Sequence, residues 1–219
     1  MAINIAIDGP SASGKSTIAK ELCKELEYKH LDTGAMYRCV ALKVVRTGAD
    51  YNKDEAMKEL LENTTIDFTP EGGVLLDGED VSKAIRTDEI SMMASNVSTR
   101  KIVRKYLVAL QQEIAKDKGY VMDGRDIGTV VLPDAEVKIF LVASVETRAR
   151  RRYLENQKRG IKCNLRELKE ELVERDYQDT HRKESPLKKA PDAIEIDTSE
   201  MTIDEVTDAV LNIVRPKLV

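Results

Sequence analysis

The sequence predicts an α/β fold, a central parallel sheet flanked by helices, and three observations lead there. Short apolar runs alternate with longer segments whose apolar residues recur at helical spacing, as strands alternating with packed helices require. Near the start an apolar run passes through Gly9-Pro10-Ser11-Ala12-Ser13-Gly14-Lys15-Ser16-Thr17 into a helical pattern, so the chain reads strand, glycine-rich loop, helix. Residues 64–98 then break the alternation with short strands, a small β-rich insert. At 219 residues the chain suits one medium domain with its own core, filled by Leu, Ile, Val and Met because Trp is absent and Phe occurs twice.

The first strand is expected over residues 3–7 and the first helix over 16–27, with Ile18, Ala19, Leu22 and Leu26 inward. The loop between them fits G-x-x-x-x-G-K-[ST]. Such a loop turns successive backbone N–H groups around an anion, its glycines keep side chains clear, and the helix adds its positive dipole end. Lys15, expected on the loop surface, has the reach to touch β- and γ-phosphates, and the Ser16 hydroxyl suits Mg²⁺. Residues 29–31 read as a second strand ending at Asp32-Thr33-Gly34. A helix follows over 35–45, with Thr33 as its N-cap and Met36, Cys39, Val40 and Val44 inward. Arg38 near that helix start fits either a second phosphate site or an ordinary capped helix with a surface arginine.

Asn52 is the expected cap of a helix over 53–62. Short strands are expected at 66–68, 73–76 and 79–82, the last two joined by the two-residue turn Asp77-Gly78. Helices follow over 88–94 and 100–116, the second with Ile102, Val103, Tyr106, Leu107, Leu110 and Ile114 on one face. A strand at 120–122 leads into Asp123-Gly124-Arg125-Asp126, just past a strand end, where open parallel sheets bind ligands. The next strand is 138–142. Ser144 then caps a helix on which Arg148, Arg151 and Arg152 share one face, and this fits either a solvated surface or a mobile lid that clamps anions. Asn164 caps a helix reaching residue 183, with Arg175, Asp179 and Arg182 on one side, and 193–196 and 202–214 read as a last strand and helix.

Composition narrows the function. A formal net charge of −4 argues against a general nucleic-acid or anionic-membrane binder. No stretch of 18 apolar residues is present, and Asp8 with the loop stands where a signal peptide would need its apolar core, so a soluble cytoplasmic protein is expected. Three scattered cysteines and two histidines suggest neither a disulfide framework nor a zinc site. There is no N-K-x-D for guanine and no switch-like D-x-x-G. Arginines clustered near strand ends and helix starts fit transfer of a phosphoryl group to a second phosphorylated substrate, where the guanidinium fork suits crowded negative charge.

The phosphate loop, Leu31-Asp32-Thr33-Gly34-Ala35-Met36-Tyr37-Arg38, Leu76-Asp77-Gly78-Glu79-Asp80-Val81, Asp123-Gly124-Arg125-Asp126-Ile127-Gly128-Thr129-Val130-Val131 and Glu174-Arg175-Asp176 together closely resemble the bacterial cytidylate kinases. The resemblance spans nearly the whole chain, with the motifs in the family's order. It implies a P-loop kinase fold, a single domain over 1–219 with a nucleotide-monophosphate-binding insert at about 64–98 and a short lid at about 148–163. It also implies a monomer that moves the γ-phosphoryl group of ATP, with Mg²⁺, to CMP or dCMP, giving CDP or dCDP and ADP. Rival readings are a kinase of UMP, AMP or a metabolite hydroxyl, and a regulatory module that binds ATP without catalysis.

Carried over residue by residue, Gly9 to Thr17 hold ATP, and Thr33 keeps a substrate-touching hydroxyl where the pattern often has serine. Tyr37, Arg38 and Arg125 match positions at the acceptor's ribose and phosphate. Ser95, Arg104 and Asp126 match the readers of cytosine, whose N4 amino group donates beside acceptors N3 and O2. Arg175 and Asp179 match ribose contacts, and Arg182 a phosphate contact. Arg148, Arg151 and Arg152 resemble lid arginines. The expected catalytic set is Lys15, Arg38, Arg125, Arg148 and Arg151. Some members have glycine at the position of Ser16, so its metal role rests on the general mechanism of phosphate loops.

Overall fold

The computed structural model describes residues 2–69 and 72–218; Pro70 and Glu71 of the expected insert lie outside the described residues. Among the described residues the strands are β1 (Ile5–Asp8), β2 (Lys29–Asp32), β3 (Ile66–Phe68), β4 (Val74–Leu76), β5 (Glu79–Asp80), β6 (Tyr120–Gly124), β7 (Val137–Val142) and β8 (Ile194–Asp197). The α-helices are α1 (Lys15–Leu26), α2 (Thr33–Thr47), α3 (Asp54–Glu62), α4 (Asp88–Ser98), α5 (Lys101–Ala115), α6 (Val145–Lys158), α7 (Leu165–His181) and α8 (Ile203–Val214). They fall into two compact units, one made by the chain up to Leu31 and from Asp117 onward, the other by Asp32–Lys116.

The first unit holds a five-stranded sheet in the order β2-β6-β1-β7-β8. Strand β1 runs parallel to both neighbours, with Ile7 opposite Asp123 and Ile139, and Asp8 opposite Gly124 and Phe140. The register makes β1 and β6 end level, so the phosphate loop and Arg125-Asp126 leave the sheet at the same edge. All four residues of β1 are buried, as expected of a parallel strand covered on both faces. Ile5, Ile7, Leu22, Val121, Ile139, Leu141, Val210 and Val214 form the core that α1 and α8 seal, and truncating such a side chain to alanine costs about 2 to 5 kcal/mol.

Strand β1 starts two residues later than expected because the Asn4 N–H donates to the Glu136 carboxylate at 2.9 Å and not to a strand partner. Helix α1 stops at Leu26, where Glu27 turns left-handed at φ 57°. Helix α7 ends at His181; Arg182, with ψ 142°, is extended backbone and not the final helical turn expected. The Ser144 and Asn164 caps stand as expected, accepting from the Thr147 and Arg166 amides.

In the second unit, α2 begins at Thr33 and its cap is Asp32, whose Oδ1 accepts from the Ala35 N–H at 2.9 Å. The sequence reading put the cap one residue late, because both residue types serve there and only the backbone decides which is last outside the helix. Asn52 likewise caps nothing: α3 starts after Lys53, with no side-chain cap. The turn joining β4 to β5 has φ 51° at Asp77 and 84° at Gly78, the primed geometry that Asp-Gly favours. Strand β5 stops at Asp80 because Ser82 leaves the ladder, its hydroxyl accepting from the Val74 N–H at 2.8 Å.

Candidate functional site

Between β1 and α1 the backbone bends where only glycine fits. Gly9 has φ 149°, and a Cβ there would lie 2.0 Å from the Leu141 carbonyl oxygen. Gly14 has φ 99°, and the first turn of α1 carries no acidic residue, leaving its N–H groups for an anion. Ser13 donates to the Pro10 carbonyl at 3.0 Å, and the Lys15 ammonium reaches back to the same oxygen at 2.6 Å. Lys15 is therefore buried, against the surface position expected. Burial first, and the Arg125 cation next, hold its pKa well below the usual lysine range, a strain that phosphate charge would relieve. Thr17, last of the motif, is exposed.

Ser16 donates through its hydroxyl to Asp123 Oδ2 at 2.7 Å, and Asp123 Oδ1 lies 2.6 Å from His30 Nε2. Among the described residues no group of three His, Cys, Asp or Glu side chains could cage a metal. The hydroxyl and carboxylate pair nevertheless fits Mg²⁺, which prefers hard oxygen ligands, keeps several waters and shares phosphate oxygens. Asp8, buried at the end of β1, accepts from the Ile127 and Gly128 amides at 2.8 and 2.7 Å. Burial pushes its pKa up to about 6, against the pull of those two amides. They open a π turn, closed by Val131 N–H to Asp126 carbonyl at 3.2 Å and Leu132 N–H to Ile127 carbonyl at 2.7 Å.

Arg125 and Asp126 leave β6 into a buried line of alternating charge. Arg125 Nε donates to Asp179 Oδ2 at 2.7 Å; Arg182 lies 3.9 Å from Asp179 and 3.6 Å from Asp126. Burial alone would raise the Asp179 pKa, but Arg125, with Arg175 and Arg182, holds it below the ordinary carboxylate value. The structure thus brings together Arg125 and Asp126 with Asp179 and Arg182, two stretches more than fifty residues apart in sequence. Arg175 sits half-buried one turn before Asp179 on α7.

Of the arginines on α6, Arg148 is buried and held at three points: the Ala143 carbonyl at 2.9 Å, the Ser11 carbonyl at 3.2 Å and both oxygens of Asp176. Arg151 donates to the Thr198 hydroxyl and carbonyl at 3.0 and 2.5 Å and to the Ser13 carbonyl at 3.4 Å. Both touch the phosphate loop. Arg152 turns aside to Glu155 at 3.9 Å.

The remaining candidates belong to the second unit. Thr33 is buried in the first turn of α2, and Arg38 is half-buried one turn on. Arg104 is buried on α5, its guanidinium 5.4 Å from the Tyr37 ring centroid, and it donates to the Ser98 carbonyl at 3.3 Å. Ser98 in turn donates to the Ser95 carbonyl at 2.7 Å. Asp32 also holds Arg86 at 2.8 Å.

Sequence reasoning missed Asp8, His30, Asp176 and Thr198 as parts of this machinery, and assigned Asp123 no task. Asp123 and Asp176 lie within quoted motifs, which was signal enough to ask. Thr198 had none, since the Ser13 carbonyl that accepts from its hydroxyl lies 185 residues away.

A parallel sheet whose central strand feeds a Gly-Lys-Ser loop, with arginines gathered at the same edge, defines a P-loop kinase fold. The solved shikimate kinase from Bacteroides thetaiotaomicron has a similar fold, with TM-score 0.51 at 11% identity over 98% of this chain and 99% of that one. The family model "Cytidylate kinase" matches residues 5–216. A cytidylate kinase of Bacillus cereus (strain B4264) is 50% identical over 97% of this chain and 96% of its own length; that of Ligilactobacillus salivarius (strain UCC118) is 51% identical over 98% and 97%. The chain belongs to the cytidylate kinase family. Among the described residues no helix is long and apolar enough to cross a membrane.

Proposed function

We propose that the protein transfers the γ-phosphoryl group of ATP to CMP or dCMP, giving CDP or dCDP and ADP. The family match supports the reaction, and one observation carries it to these residues: the buried line Arg125, Asp179, Arg182, Asp126 lies in the unit that holds the phosphate loop. A dianionic acceptor meeting ATP needs fixed cations, and arginines already pinned by carboxylates need no reorganisation when it arrives.

In this reading the loop, Gly9 to Thr17, holds the phosphates of ATP, and Lys15 exchanges the Pro10 carbonyl for β- and γ-phosphate oxygens. Ser16 would hold Mg²⁺, which when bound would supply neutralisation of phosphate charge. Arg148 and Arg151 brace the loop and face the transferred group, while Arg38 and Arg125 take the acceptor phosphate. Thr33, Tyr37, Arg175, Asp179 and Arg182 hold acceptor ribose and phosphate. Asp126 accepts from cytosine N4; Arg104, with Ser95, donates toward N3 and O2. Uracil presents an acceptor at position 4, so a carboxylate there disfavours UMP. No covalent intermediate is needed, because positioning and electrostatics supply the rate.

A monomer in the cytoplasm, with no nucleic-acid partner, completes the proposal. ADP release measured with CMP, dCMP, UMP, AMP and GMP tests it. The expected order puts CMP and dCMP well ahead of the others; equal rates with all five, or none with any, would overturn it.

A further inference from the structure

We infer that His30 is a positioning residue for the phosphate-loop hydroxyl, acting through Asp123 as the middle member of a Ser16, Asp123, His30 relay. The inference rests on the reading that the loop binds ATP with Mg²⁺. Its foundation is strand order: β6 lies between β1 and β2, so a side chain at its C-terminal end can meet the loop after β1 on one side and β2 on the other. Asp123 does both. Its Oδ2 accepts from the Ser16 hydroxyl at 2.7 Å and its Oδ1 lies 2.6 Å from His30 Nε2. An ionised carboxylate only accepts, so Nε2 carries the proton and donates.

The pair is shielded, the Asp123 side chain being 5% and that of His30 16% exposed. In such a place each short hydrogen bond to the carboxylate helps set its orientation, and losing the one from His30 would let its plane shift. The only hydrogen of the Ser16 hydroxyl goes to Oδ2, so the direction of its lone pairs, the feature a cation would use, follows the carboxylate plane. The short bond to His30 helps hold that plane. A substitution at 30 should therefore weaken the gain in nucleotide affinity that Mg²⁺ confers while leaving metal-free nucleotide binding alone. Partners one step behind a ligand set its affinity by about 10- to 100-fold. His30 stands one step further back, and the lower end, about tenfold, is expected.

The test compares His30→Phe, which keeps a ring but has no donor, with His30→Gln, whose Nε2 amide donates from a similar reach. ATP affinity is measured by calorimetry with and without Mg²⁺, beside kcat and KM. The Mg²⁺-dependent gain should fall about tenfold in His30→Phe, with KM for CMP unchanged, and return to within about threefold of the original in His30→Gln. Ser16→Ala removes the far end of the relay, so adding His30→Phe to it should change the gain no further. A gain equal in the original and His30→Phe proteins, or a loss that His30→Gln shares in full, overturns the inference. If His30→Phe does not fold, His30→Leu takes its place under the same two criteria. Failure of the underlying reading looks different: the unaltered protein would show no Mg²⁺-dependent gain at all.

Discussion

Arg125 meets Asp179 in the first unit and Arg46 meets Glu79 in the second at the same 2.7 Å, yet the first pair is 18% and 8% exposed and the second 42% and 60%. Lys43 with Asp77 and Arg100 with Asp54 repeat the second pattern, each with an exposed carboxylate; Arg148 with Asp176 and Arg182 with Asp126 repeat the first. Distance therefore does not rank these contacts. An exposed pair exchanges water for a partner of about equal worth, whereas a buried pair has already lost its water and depends on the partner. The fold keeps its costly pairs beside the phosphate loop, where a rigid cation has a use.

The largest effect should come from the cation that has a carbonyl in place of a carboxylate. Lys15→Met should lower phosphoryl transfer by roughly a hundred- to a thousandfold, as loss of a charge-stabilising donor does. Its melting temperature should stay level or rise, because the buried ammonium beside Arg125 is gone. A folded mutant with near-normal turnover would remove Lys15 from the chemistry.

Breaking the buried pair comes next. Asp179→Ala leaves Arg125 uncompensated and should cost about 3 to 5 kcal/mol in denaturant unfolding. A loss no greater than that of an exposed pair would erase the distinction between the units.

Asp8 sharpens the point from the acid side. Its folded pKa is raised from 3.8 to about 6, so between those values the folded protein keeps a proton that the unfolded chain has released. That contribution is present below pH 4 and is lost as pH rises through 6. Asp8→Asn stays neutral throughout, so its stability relative to the original should rise across this window by about 3 kcal/mol at most. Parallel urea curves at pH 4 and pH 7 measure it, and a constant difference would show that Asp8 titrates normally.

If Asp126 accepts from cytosine N4 as proposed, Asp126→Asn loses a charge-assisted hydrogen bond. It should cost about 1.5 to 3 kcal/mol, roughly ten- to a hundredfold in kcat/KM for CMP. The amide can also donate to the uracil oxygen, so the CMP to UMP ratio should fall further still; an unchanged ratio would mean Asp126 does not read the base. The smallest effect is expected at the exposed pair. Arg46→Ala should leave activity intact and shift the melting temperature by no more than about 2 °C, and a larger fall would mean that the pair does more than its exposure allows.

Local chemistry determined much of this protein from sequence alone. The Gly-Lys-Ser spacing, the apolar period of α1 and α5 and the Asp-Gly turn each act within a few residues, so the loop, the helices and the hairpin could be read in order. The family motifs supplied nearly every residue of the proposed site. Element ends were less legible, because they turn on competition between neighbours: Asp32 over Thr33 as the cap of α2, or Glu136 capturing the Asn4 amide before β1 could start. Which polar side chains would meet was decided by tertiary structure. Strand order brings His30, Asp123 and Ser16 into one relay, and the folding of the chain's last third back onto its first carries Thr198 to the Ser13 carbonyl. Burial, too, is a property of the assembled core, which is why Lys15 and Arg148, surface residues by composition, became desolvated cations. A hydrogen bond reaches about 3 Å, and no pattern along the chain records which distant residues the sheet will bring within that reach.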